Sequence, residues 1–152
     1  MKKLFFLLLL LPLNLFSQIN VHKAGDGWDS IVYSAIKLIQ KTSPMHYAII
    51  KDVVQEVQFW NEDYSSNNLI EGKGVIVISS KDIQLNSLNN IAAALVHESY
   101  HLKVLKYGPD MRGSKEEYLC YVHELKFLKM LPNVELDLLA YTKEQVKLWN
   151  IE

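Results

Sequence analysis

The 152-residue chain is 49% hydrophobic and 22% charged, a balance that fits one ordinary globular domain and excludes a disordered one. Sixteen basic residues face 17 acidic ones, giving a net charge of −1 with no basic block, so nucleic acid is not an expected partner. The single cysteine, Cys120, excludes an intramolecular disulfide and a cysteine-built zinc finger.

Residues 1–17 begin with Lys2 and Lys3, continue through an unbroken apolar run from Leu4 to Leu11, and meet Pro12 and Asn14 before the small Ser17. This is the layout of a secretory signal peptide. The stretch from Leu4 to Phe16 is shorter than the roughly 20 apolar residues of a membrane span, so no stable anchor is expected after cleavage. The expected product is residues 18–152, a single domain exported to the medium or, in a bacterium, to the periplasm. One thiol in an oxidising compartment is best kept buried.

Along the mature chain, Ile31, Ala35, Leu38 and Ile39 recur at helical spacing between Trp28 and Gln40. Asp26 or Asp29 can cap that helix, and Ser43-Pro44 ends it. Residues 44–54 repeat the pattern with Ile49, Ile50, Val53 and Val54. Glu56-Val57-Gln58-Phe59-Trp60 alternates as a strand does, although a helix fits nearly as well through Val57. Residues 61–74, rich in Ser, Asn and Gly, form a loop, and Gly74 to Ser79 is a β-branched strand suited to burial on both faces. Residues 86–107 predict the strongest helix, capped by Asn86 or Ser87 and stopped by Gly108-Pro109. Ser114, with Glu117 at the capping-box position, opens another helix running to about Leu131, before Pro132. A final helix is expected over Thr142 to Trp149. Helices, a small sheet and then helices make an α+β fold.

The chemistry concentrates in His97-Glu98-Ser99-Tyr100-His101, an H-E-x-x-H sequence. Residues i and i+4 on a helix share a face, so His97 and His101 can bind one Zn²⁺ while Glu98, one residue on, projects beside the metal to take a proton from water. A catalytic zinc needs a third protein ligand and one open position. The metzincin extension is absent, since Val104 and Tyr107 stand where glycine and histidine belong. The following helix offers Glu116, Glu117 and Glu124, with Glu117, Tyr121 and Glu124 on one face.

At these residues the chain resembles the gluzincin metallopeptidases, which pair H-E-x-x-H with a later E-x-x-A-type motif. The matching positions are His97, Glu98, His101 and then Glu117-Tyr-Leu-Cys120, with cysteine in place of the usual small alanine. The resemblance spans roughly residues 74–131. It implies a zincin-like fold, Zn²⁺ held by His97, His101 and Glu117, and Glu98 as general base of a metal-activated water. It further implies that the strand at Gly74–Ser79 receives an extended peptide or protein substrate by β-augmentation. His123, Tyr121 and Tyr141 are open candidates for steadying the oxyanion. Tyr100 is expected to pack, His123 to lie at or near the surface, and Cys120 to be a buried small residue. Trp28, Phe59 and Trp60 are expected in the core or a groove wall. Two rival readings share the same residues: a zinc-stabilised binding module without catalysis, and a metallohydrolase acting on a non-peptide amide.

Overall fold

The computed structural model describes residues 19–22, 27–60, 74–79, 87–111 and 113–150. The expected leader at 1–17, the caps at Asp26 and Asn86, and residues 61–73 of the expected loop lie outside them.

The chain order is β1 (Asn20–Val21), α1 (Trp28–Thr42), α2 (Pro44–Val53), β2 (Glu56–Trp60), β3 (Val75–Ser79), α3 (Leu88–Tyr107), α4 (Ser114–Leu128) and α5 (Leu136–Trp149), with a 3₁₀ turn at Pro109–Met111. The α+β expectation holds: the fold is mostly helical with a small sheet. The three strands are all parallel in the order β1-β2-β3, with Glu56 to Trp60 of β2 in register with Val75 to Ser79 of β3. Parallel strands need covered faces, and all five residues of β3 are buried.

Gly74 sets where β3 starts. A Cβ at this position would lie 1.8 Å from the Val53 carbonyl oxygen. Its own carbonyl accepts from Gln55 N (2.7 Å) and Glu56 N (3.1 Å). The exit of α2 and the entry to β3 therefore meet backbone to backbone, a contact only glycine allows.

In α1, Val32, Ala35, Ile36 and Ile39 repeat at i, i+3, i+4 and i+7 and are buried. Pro44 opens α2 at its first turn, where a missing N–H costs nothing. Helix α3 is the organiser of the fold. It packs on α1 and α2 and on α4, and eleven of its twenty residues are buried. The helix is thus covered on most sides, although Leu88 in its first turn is exposed. Ser87 caps it by accepting from Asn90 N at 3.2 Å, and Gly108 follows its last residue. Where the chain leaves α3, Lys106 and Tyr107 bond to Asp52 at the end of α2.

Four expectations need correction. Helix α1 is preceded by Gly27 at φ 75°, and Asp29 sits inside its first turn rather than at its cap. Ser114 is likewise inside α4: Gly113, at φ 82°, occupies the cap position, no side chain caps the helix, and the Glu117 carboxylate turns toward α3 instead of making a capping box. Helix α4 ends at Leu128, three residues early, because the Met130 and Leu131 N–H groups close tight turns on Phe127 and Leu128. Helix α5 begins at Leu136, six residues before the expected start, with Glu135 at its cap position. Trp28 and Phe59 pack together at 6.0 Å between ring centroids against the core, as expected; the Trp60 side chain lies outside the description.

Candidate metal centre

His97 and His101 stand one turn apart on α3, both buried, with their Nε2 atoms 3.2 Å from each other. Each ring is fixed from behind. His97 Nδ1 is 3.0 Å from Glu124 Oε2, and His101 Nδ1 is 2.9 Å from Glu116 Oε1. Glu124 is itself held, because Thr142 Oγ1 donates to its second oxygen at 2.7 Å. A carboxylate behind Nδ1 takes the N–H there and leaves the Nε2 lone pair pointing forward.

Glu117 meets those two lone pairs. Its Oε2 lies 3.7 Å from His97 Nε2 and its Oε1 3.5 Å from His101 Nε2. Two ligands bonded at 2.0–2.2 Å to one tetrahedral ion sit roughly 3.3–3.5 Å apart. The Glu117 carboxylate thus faces the Nε2 pair with one oxygen toward each ring. At 3.2 Å the two Nε2 atoms are close enough to share a proton or to bind one metal ion.

The electrostatics agree. Burial works against a charged His97, but hydrogen bonds to Glu117 and Glu124 and the charges of Glu98 and Glu124 outweigh it and raise its pKa to about 9. The Glu117 carboxyl is held below its usual range by its hydrogen bond to His97 and by the charges of both histidines. The carboxylates around the two rings favour positive charge at the cluster.

Cys120 adjoins the pair. Donor atoms of His97, His101 and Cys120 all lie within 4.8 Å of one another, all three residues are buried, and the group could hold a metal ion. The thiol has no solvent exposure, and burial followed by the charges of Glu117, Glu98, Glu116 and Glu124 pushes its pKa up. Glu98 is half-buried, and its charge reaches both His97 and Cys120.

The structure brings His97, His101 and Glu117 together, and it places the three glutamates differently. Glu117 faces the Nε2 atoms, whereas Glu116 and Glu124 lie behind the rings. Glu116, read from the sequence as one of three candidate ligands, supports His101. Thr142 was missed, because a lone hydroxyl some forty residues from the histidines carries no spacing signal.

The oxyanion candidates separate. Tyr121 packs edge-on against the His97 ring at 4.4 Å between centroids, and burial together with a hydrogen bond to Tyr141 pushes its phenol up. His123 belongs to another cluster, stacked on Tyr100 at 3.6 Å and edge-on to the buried His46 at 5.7 Å. Tyr100 packs as expected. Beyond Tyr141, an open pocket of about 340 Å³ is lined by Ser87, Asn90, Glu135, Asp137, Leu138 and Tyr141. Asn90, in the wall of that pocket, lies seven residues before His97 on α3, on the same face and about two turns away.

No family profile matches the chain, and no curated protein or solved structure is significantly similar to it.

Proposed function

We propose that this chain is a small exported zinc-dependent peptidase of gluzincin-like design, with His97, His101 and Glu117 as metal ligands and Glu98 as general base. The observation that carries the reading is the convergence of His97 Nε2, His101 Nε2 and the Glu117 carboxylate at 3.2–3.7 Å, with a carboxylate behind each ring. A zinc ion bound there supplies Lewis acidity toward a carbonyl and toward water.

The chain's own residues do the rest. Glu124 and Glu116 keep the Nδ1 protons in place and so fix the tautomer of each ligand. Glu98 takes the proton from the attacking water and returns it to the leaving amine. Tyr121, packed edge-on against His97 and hydrogen-bonded to Tyr141, supplies a hydroxyl donor for the oxyanion. The peptide pairing expected at Gly74–Ser79 has no place in this reading, because all five residues of β3 are buried and present no exposed edge to a substrate. Residues 1–17 direct export and are removed at Ser17.

The test is a pair of substitutions. Glu98→Gln keeps stoichiometric zinc while peptide-cleavage rates fall about 10²–10⁴-fold; cleavage at the wild-type rate would remove Glu98 from the mechanism. Glu117→Ala loses zinc by elemental analysis, and stoichiometric zinc in that variant would refute the ligand assignment. A non-peptide amide substrate would use the same residues, and a screen of both substrate types decides between them. The rival reading, a zinc-stapled binding module, gains support from Cys120, since four protein ligands make a closed site.

A further inference from the structure

We propose that the sulfur of Cys120 is a fourth protein ligand for the ion held by His97, His101 and Glu117, so that the resting site is closed by sulfur and opens to water only when that bond is released. This inference rests on the metal centre proposed above and adds its regulation.

Three observations carry it. Cys120 follows Glu117 by three residues on α4, so both project from one face toward α3. Its donor atom belongs to the same cluster, within 4.8 Å of both imidazole donors. A metal–sulfur bond of about 2.3 Å and metal–nitrogen bonds of about 2.0–2.1 Å place sulfur and nitrogen roughly 3.6 Å apart in a tetrahedral shell. The 4.8 Å limit exceeds that spacing by about an ångström, so the sulfur is at most about that far from bonding position. The thiol has no solvent exposure, which leaves it unable to reach a substrate, and the chemistry open to it is toward the two histidines.

The chemistry of closure is simple. When sulfur binds the ion, the S–H bond breaks and its proton leaves to water as the metal–sulfur bond forms. Two imidazoles, one carboxylate and one thiolate complete a four-coordinate shell with no place for water. The thiolate also biases the site toward thiophilic ions such as zinc and cadmium and away from magnesium, calcium and manganese. Release of the sulfur restores three protein ligands and one open position.

Cobalt(II) spectroscopy tests this on the full mature chain. The wild-type protein, stripped and reloaded with cobalt, is expected to show visible d–d bands together with a sulfur-to-cobalt charge-transfer band in the near ultraviolet. Cys120→Ser and Cys120→Ala keep the d–d bands and lose the near-ultraviolet band, and both cleave peptides faster than wild type because sulfur no longer competes with water. Wild-type d–d bands without the charge-transfer band would overturn the sulfur ligand and leave the histidine–glutamate centre standing. Absence of any cobalt d–d bands in the wild-type protein would instead bring down the metal centre itself. A wild-type charge-transfer band with no gain in cleavage in either variant would reduce Cys120 to a permanent structural ligand and overturn the gating.

Discussion

At the scale of single residues, the order Thr142–Glu124–His97 runs from a hydroxyl through a carboxylate to an imidazole, each link within 3.0 Å. Such a chain fixes the ring and raises the basicity of the nitrogen that faces the metal. Replacing Glu124 by Gln keeps the shape but removes the charge. The expected result is a 10–100-fold loss of zinc affinity in a chelator competition, with the far-ultraviolet circular dichroism unchanged. Thr142→Val acts in the same direction and more weakly, since it loosens Glu124 without removing it. Equal zinc affinity in Glu124→Gln and wild type would mean that the carboxylate does not support the ligand. The pair His97 and His101 was legible because helical spacing alone places them on one face. Choosing among Glu116, Glu117 and Glu124 was not, because all three lie within nine residues of one helix. Which of them faces Nε2 and which Nδ1 depends on how far α4 is rotated against α3, a tertiary quantity. The small size of Cys120 was read correctly, and its place among the donors was not.

Among the elements, the long helix α3 and the strand β3 were plain in the sequence, the helix by its span and stops and the strand by β-branching, whereas β2 alternated as a strand does but fitted a helix nearly as well through Val57. The two-residue β1 is too short for any period to register. Helix α5 begins early because its first turns lack the usual signals: Leu136 and Tyr141 are exposed apolar residues, Glu135 makes no side-chain cap, and Thr142, where the reading began, is the helix's single fully buried side chain. The placement of β3 makes its own prediction. An alanine at Gly74 would put a methyl 1.8 Å from the Val53 carbonyl oxygen, and no side-chain rotation relieves a clash with backbone. Gly74→Ala is expected to cost more than about 1 kcal/mol, seen as a lower urea midpoint at unchanged slope. An unchanged midpoint would show that the α2 exit yields at no cost.

For the whole molecule, stability against pH turns on a second cluster of imidazoles, built around His46 and His123. His46 is buried, with Ser43 Oγ 2.6 Å from its Nδ1, and its ring meets Tyr100, His123 and Phe127. Burial and the charges of Lys126 and Lys103 lower its pKa from 6.5 to about 4, and burial with Lys126, His46 and Lys103 does the same to His123. Tyr100, stacked on His123, offers no compensating charge, since burial raises its phenol to about 12. The unfolded chain therefore takes up protons below pH 6.5 that the folded chain refuses until about 4. The stability these groups contribute is complete above 6.5 and is lost as pH falls through that window, by at most about 1.4 kcal/mol per pH unit for each imidazole and by less for the partly exposed His123. Four further groups act outside the interval from about pH 6.5 to 5. Asp52, Glu117 and Glu135 have lowered pKa values, so their losses begin only near and below their usual range of about 4. His97 has a raised value, so in metal-free protein its contribution is complete below 6.5 and is lost only on the alkaline side. Urea unfolding of the metal-free chain should thus show falling stability from pH 6.5 to 5, and the slope should shrink in His123→Gln. A flat profile over that range would mean that the buried imidazoles find hydrogen-bond partners for their charged forms.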